Sequence, residues 1–295
     1  MHLGLARTAL LGWLRARQQG GSFVLRTEDL DAPRVVPGAD ARLLADLSWL
    51  GLDWDEGPDV GGAHAPYAQS DRLALYQDAI TTLTAAGRIY PCSCTRKELS
   101  IASAPHGPSE FGPTYPGTCR SGPTRDGGPL CSRFLAPDSL PVFEDGLLGA
   151  VAPTAHGDFV VQRADGTFSY QLAVVVDDIA MQISEVVRGR DLAGCTGWQL
   201  ALYRALGANP PTFVHVPLLL AADGKRLAKR DGALSIAELR THGVEARTIV
   251  GALAESVGLV PEGTRCAARE LVSDFALSRV ADRPVDWTRA LSTRH

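Results

Sequence analysis

No apolar run in this 295-residue sequence approaches the roughly 18 to 20 residues that a bilayer-spanning helix needs, so the chain is not expected to enter a membrane. The stretch from Leu3 to Leu14 is apolar enough to suggest a secretory signal, but Arg7 interrupts it and no basic segment precedes it. A cytoplasmic protein is therefore expected. An excess of positive charge is also missing: the formal net charge is -4, which excludes a globally basic nucleic-acid binder while leaving room for a local basic patch. Arg188, Arg190, Lys225, Arg226, Lys229 and Arg230 are the candidates for one. Internal repeats and coiled-coil heptads are absent, which removes solenoids and long rods. What is present is ordinary globular composition, 45% hydrophobic and 21% charged, on a chain long enough for two or three domains. Six cysteines, several closely spaced, point in a reducing compartment to a metal or to buried thiols before disulfides.

Helical and extended signals alternate from the start. Ala6, Leu10, Trp13 and Leu14 form a helical stripe that ends at Gly20-Gly21, and "SFVLRTEDLD" reads as a short buried strand running into an acidic loop. Asp40 to Leu50 reads as a second helix, stopped by Gly51. Ser70 is expected to cap a third, closed by Gly87. From Ser103 to Pro129 the composition shifts to Gly, Pro, Ser and Thr, over a length that predicts an inserted irregular module. "GDFVVQRADGTFSYQ" predicts a hairpin turning at Asp165-Gly166, before "LAVVVDD" and "ISEVVRG" resume buried α/β character. Thr196 to Leu206 is another helix. Ser235 and Glu238 have the spacing of a capping box at the head of an amphipathic helical tail.

Three separated segments matter together: "HLGLARTALL", "LRTEDLD" and "GKRLAKRDGA". A histidine and a glycine at a helix N-terminus suit phosphate, because the first-turn N–H groups are unpaired and the helix dipole is positive there. Paired with the distant "RLAKRDG", this start resembles the two nucleotide-binding signatures of class I aminoacyl-tRNA synthetases. With "RTEDLD", "YQLAVVVDD" and "EVVRGRDL" added, the chain is similar to the glutamyl-tRNA synthetases from His2 to about Ala233. The resemblance implies an α/β fold, a Rossmann-type core split by an inserted zinc-containing module. Residues 1–87 would form its first half, lacking the N-terminal strand, 88–157 the inserted zinc and acceptor module, and 158–231 the second half with the closing loop. Residues 232–295 would form a short helical C-terminal region.

The same resemblance implies site roles. His2 and Gly4 would contact ATP, and His2 and Lys229 would act in catalysis, Lys229 being the retained lysine of the closing loop. Arg226 and Ala228 depart from the family there, where it has a lysine and a serine, and the lost serine hydroxyl puts one nucleotide contact in doubt. Glu28, Tyr170 and Arg188 fall on positions that contact glutamate; the Arg188 fork suits a carboxylate, Glu28 an ammonium, and Tyr170 offers a hydroxyl. Without the resemblance, Glu28 and Tyr170 are better read as a buried strand ion pair and a half-buried hairpin tyrosine. Cys92, Cys94, Tyr115 and Cys119 resemble the zinc site of the family's short members, although the residues themselves admit His106 or Cys131 as the fourth ligand. Cys195 and Cys266 read as buried small apolar residues.

Size separates the readings. The 65 residues from 231 to 295 are too few for the helical anticodon-binding region of the full-length family. The shortened form resembles the family's short paralogues, which activate glutamate with ATP and Mg²⁺ and place it on the modified base queuosine in the anticodon loop of tRNA(Asp). L-glutamate, ATP and that tRNA are the expected partners, and nothing implies an obligate protein partner. A truncated conventional glutamyl-tRNA synthetase, or an inactive RNA- or nucleotide-binding relative, is the alternative. Full-length family members also carry a strand before the His-Leu-Gly helix whose arginine and serine bind glutamate, so the functional protein is expected to begin upstream of Met1.

Overall fold

A computed structural model of the chain describes residues 1–95, 98, 99, 111, 114–219 and 235–281. Helix α1, Leu3–Gln18, begins at His2, whose backbone is extended and whose Nδ1 accepts the Leu5 N–H at 3.0 Å. It buries Leu3, Ala6, Leu10, Leu11, Trp13 and Leu14. Arg7 is buried on the same helix, with Nη1 donating to Ser256 Oγ and Nη2 to the Pro217 carbonyl.

Helix α2, Ala39–Trp49, follows as predicted and gives way to Gly51 at φ +80°. Helix α3 is Leu73–Ala85 and begins at Arg72 rather than at Ser70. Ser70 is not its cap because both its N–H and its Oγ donate to the Asp29 carboxylate, at 2.8 and 2.6 Å, within a 3-10 turn over Gln69–Asp71. "SFVLRTEDLD" is extended but forms no ladder. Val24 and Thr27 make only isolated parallel bridges, to Glu56 and Ala68, and the segment is half-buried.

Two sheets divide the remaining strands. β1 (Ile89–Cys92), β2 (Cys131–Phe134) and β5 (Phe159–Gln162) form an antiparallel sheet in the order β1-β2-β5. It carries the metal-type cysteines in a module the sequence pattern left irregular. β3 (Phe143–Asp145), β4 (Gly149–Val151), β6 (Glu185–Gly189) and β7 (Thr212–Val216) form the second sheet, ordered β4-β3-β7-β6, with β7 parallel to both β3 and β6. Helix α5, Thr196–Ala205, connects β6 to β7, giving the βαβ unit that an α/β core requires.

The predicted hairpin turns at Gly166, φ +87°, with Arg163 N–H donating to the Thr167 carbonyl and Ser169 N–H to that of Val161. Its second arm runs straight into helix α4, Tyr170–Ala180, so Tyr170 is the first residue of a helix and not a hairpin residue. Ser169 Oγ caps that helix by accepting the Leu172 N–H. Val174, Val175 and Val176 are β-branched but buried all round against neighbouring helices, so packing overrides their strand preference.

After β7 the described chain resumes at Ser235. Helix α6, Ile236–Thr241, carries the predicted capping box, and α7, Ala246–Glu255, packs against α1. Beyond Glu255 the expected amphipathic helix is replaced by 3-10 turns at Ala268–Leu271 and Leu277–Arg279. One core joins α1, α6 and α7 to β7, and a second joins α3, α4 and α5 to β2 and β5. Among the described residues no helix is long and apolar enough to cross a membrane.

Candidate active site

The start of α1 is where distant segments meet. His2 forms an antiparallel bridge with Ser235, and the Ile236 N–H donates to the Met1 carbonyl at 2.9 Å. On the other side, a Cβ placed on Gly4 would lie 3.2 Å from His2 Nδ1 and 3.8 Å from Leu219 Cβ, so Gly4 keeps the imidazole and the end of β7 close to the helix backbone. Leu219 and Ser235 are the described residues that flank 220–234, the segment holding Arg226, Lys229 and Arg230. Those cations, with Lys225, lie outside the described residues, as does His106.

Glu28, Tyr170 and Arg188 come from the extended segment after α1, the first turn of α4 and β6. Glu28 accepts from Arg26 Nη2 at 3.2 Å, and its side chain is 41% exposed. Protein nevertheless surrounds it closely enough that desolvation raises its carboxyl above the ordinary range, against the lowering effect of Arg26. Tyr170 is 37% exposed, and its phenol is pushed up first by desolvation and then by the Glu28 charge, while Arg188 pulls it down. The Tyr170 phenol thus lies within electrostatic reach of both Glu28 and Arg188.

Arg188 is buried, with Nε donating to His215 Nε2 at 3.0 Å, Nη2 to Thr196 Oγ1 at 2.8 Å, and its guanidinium carbon 5.0 Å from the Phe213 ring centroid. Arg190 is exposed at the head of the adjoining 3-10 turn.

Two adjacent carboxylates on α4 tie that helix to its neighbours. Asp177, fully buried, accepts from Arg72 Nε at 2.6 Å, Gln69 Nε2 at 2.8 Å and the Tyr76 hydroxyl at 2.9 Å. Asp178 accepts from Arg26 Nη1 at 2.8 Å and from the Tyr203 hydroxyl at 3.2 Å. Burial disfavours the charge on Arg26, but Asp178, Glu28 and Asp177 outweigh it and keep the guanidinium firmly protonated. Sequence reasoning singled out none of these support residues, although Arg26 and both aspartates lie inside the segments that carried the resemblance.

The cysteine cluster is a separate site. Cys92, Cys94 and Cys119 bring their sulfurs within 4.8 Å of one another and can hold a metal ion. Tyr115 joins them: its hydroxyl lies 3.4 Å from Cys92 Sγ and 3.8 Å from Cys94 Sγ, and accepts the Cys119 N–H at 2.8 Å. Cys131, paired with Cys92 across β1 and β2, lies outside that group of three. Arg133 is buried beside the cluster, its Nε donating to Cys92 Sγ at 3.2 Å and its guanidinium stacked 3.8 Å from the Tyr115 ring centroid. Burial raises the Cys94 thiol to about 11. Cys119 falls to about 5, because hydrogen bonds from Tyr115 and from the Ser93 and Thr124 backbone outweigh its burial. Cys195 and Cys266 are buried away from the cluster, as small apolar residues are.

The family description "tRNA synthetases class I (E and Q), catalytic domain" matches residues 1–288. The chain belongs to this family. It is 52% identical over 295 residues to the glutamyl-Q tRNA(Asp) synthetase of Symbiobacterium thermophilum, covering 97% of this chain and 91% of that one. The protein of the same name from Nitratidesulfovibrio vulgaris is 48% identical over the same shares. Among solved structures, the glutamate-tRNA synthetase of Elizabethkingia anophelis superposes with a TM-score of 0.84 at 28% identity, over 98% of this chain and 66% of that longer one. The core described above is thus a class I synthetase catalytic domain of the α/β type, with a cysteine cluster that could bind a metal.

Proposed function

We propose that this chain activates L-glutamate with ATP and transfers it to the queuosine base of tRNA(Asp). The observation that carries the reading is the near-end-to-end match, at 48 to 52% identity, with two proteins named glutamyl-Q tRNA(Asp) synthetase.

In the first step a carboxylate oxygen of glutamate attacks the α-phosphorus of ATP, giving glutamyl-adenylate and pyrophosphate. In the second, a hydroxyl of queuosine's cyclopentene-diol attacks the activated carbonyl and AMP leaves. Neither step needs a covalent enzyme nucleophile, so catalysis reduces to positioning and charge stabilisation. His2 is suited to the phosphates: with Nδ1 accepting from Leu5, the neutral ring carries its proton on Nε2 and can donate it to a phosphate oxygen beside the first turn of α1. Gly4 leaves the backbone open there. Lys229 would meet the charge that builds on the α-phosphate, a role favoured by the two flanks of its segment lying against His2 and Gly4. Glu28 would receive the substrate ammonium, Tyr170 would donate its hydroxyl and Arg188 would take a carboxylate. Mg²⁺ accompanies ATP and neutralises the pyrophosphate.

Cys92, Cys94, Cys119 and Tyr115 would hold one structural zinc. Thiolates with bonds of about 2.3 Å on a tetrahedron sit about 3.8 Å apart, and a phenolate with a bond of about 2.0 Å sits about 3.5 Å from each; the Cys94–Cys119 separation is 3.6 Å, and the Tyr115 oxygen lies 3.4 and 3.8 Å from Cys92 and Cys94. The zinc would order the loop between β1 and β2; a cytoplasmic location fits both the tRNA substrate and the reduced thiols.

ATP–pyrophosphate exchange tests the reading: it should depend on glutamate and ATP alone, without tRNA. Silence in that assay would indicate the inactive relative. Exchange followed by charging of the 3′ end of tRNA(Glu) would indicate a conventional glutamyl-tRNA synthetase.

A further inference from the structure

Three adjacent strands of the parallel sheet align three polar side chains that the reaction scheme has not used together. Arg188 on β6 and His215 on β7 are register partners, so their side chains leave the same face of the sheet. Asp145 ends β3 on the other side of β7. His215 is fully buried, its Nδ1 2.6 Å from Asp145 Oδ2 and its Nε2 3.0 Å from Arg188 Nε.

Hydrogen-bond bookkeeping fixes the state of the ring. The Asp145 carboxylate only accepts, and it already takes the N–H groups of Leu147, Leu148 and His215. The proton between Asp145 and the ring therefore sits on Nδ1. Arg188 only donates, so Nε2 must present a lone pair. Thr196 completes the arrangement: its hydroxyl accepts from Arg188 Nη2 and donates to the Leu192 carbonyl. One edge of the guanidinium is thereby fixed in angle and depth, while Nη1 has no hydrogen-bond partner among the described residues.

We propose that His215, oriented by Asp145, is a positioning residue that presents the free end of Arg188 to the substrate carboxylate. The proposal rests on the assignment of Arg188 to glutamate made above. A guanidinium without this acceptor keeps its charge but swings about its long side chain, and a bidentate contact depends on the angle of the fork.

The groups facing the ring define its response to pH. Burial disfavours the imidazolium and Arg188 reinforces that, while Asp145 and, from the 3-10 turn, Asp191 oppose it; the net effect holds the ring below its ordinary value. The Thr196 hydroxyl and the rings of Phe143 and Phe213 are the remaining neighbours. Glutamate binding through the relay should thus stay level down to about pH 6.5 and weaken only below it, when an Nε2–H would face the Arg188 Nε–H.

Two measurements test the relay. In ATP–pyrophosphate exchange, His215→Leu should raise the KM for glutamate by about 10-fold or more while that for ATP changes less than about twofold. His215→Gln, whose amide can donate to Asp145 and accept from Arg188, should recover most of the loss. In ¹⁵N NMR of the wild-type protein at pH 7, His215 should be the neutral Nδ1–H tautomer. An Nε2–H tautomer or an imidazolium at pH 7, an unchanged glutamate KM in His215→Leu, or equal rises for glutamate and ATP would overturn the proposal. A wild type silent toward glutamate overturns the proposed function instead, and the tautomer measurement still decides whether the relay exists.

Discussion

The backbone of Ser235 pairs with that of His2, and Leu219, just after β7, lies beside Gly4, so the chain is found again where α1 starts. Those two residues flank 220–234, and most of the sequence separates them from the helix N-terminus they both approach. Coupling of a phosphate-type helix start to a cationic loop is the arrangement that adenylation needs.

Lys229 is the cation to remove. Lys229→Ala should lower the rate of glutamate activation by about 100-fold or more, with a smaller effect on glutamate affinity. Pre-steady-state measurement of adenylate formation checks this. An unchanged rate would transfer the role to Arg226 or Arg230.

Elemental analysis should find one zinc per chain. Cys92→Ser and Tyr115→Phe should lose or weaken it, whereas Cys131→Ser should retain it, because that sulfur stands outside the group of three. Arg133→Ala should weaken the metal by about 10- to 100-fold in a chelator competition, since it removes the cation that donates to Cys92 and covers Tyr115. Metal-free protein with full activity would contradict this assignment.

The acceptor is tested with labelled glutamate and tRNA(Asp) that carries or lacks queuosine. Label should appear on the modified tRNA alone, and a diol already acylated should resist periodate. Binding should weaken with salt; Arg188 is buried against His215 and Thr196 and so leaves the basic patch, and if Arg190, Lys225 and Arg230 meet phosphates the log–log slope is about -2. Equal charging of unmodified tRNA would contradict the queuosine reading.

Asp158 supplies a stability prediction with a definite sign. It accepts from Arg120 Nε at 2.8 Å, the Tyr90 hydroxyl at 2.5 Å and the Ala136 N–H at 3.0 Å. Burial would raise its carboxyl, but these partners hold it below the ordinary aspartate range. A depressed folded-state value contributes stability above the unfolded value of about 3.9, and that contribution is lost as the pH falls through the lower folded value. Asp158→Asn should therefore cost about 2 to 4 kcal/mol in denaturant unfolding at pH 7, and the difference should shrink below about pH 4.

Legibility in the sequence followed locality. Helices α1, α2 and α5 were readable because periodic apolar residues and their stops lie within one element, and the Ser235–Glu238 box because it is self-contained. Ser70 was misread because Asp29, distant in sequence, takes both its donors. The small β1-β2-β5 sheet was missed because four-residue strands such as "IYPC" and "CSRF" show no alternation. Glu28, Tyr170 and Arg188 carried no signal beyond the resemblance. Asp145 and His215 carried none at all: each sits in a short strand with no motif around it, and only the parallel register makes them neighbours.

Asp177 and Asp178 are consecutive and share Arg26, yet each has partners of its own, Arg72 and Tyr76 for the first and Tyr203 for the second. Tyr170 stands on the first turn of that same helix. The Tyr170 hydroxyl therefore cannot move with the helix unless a buried ion pair breaks first.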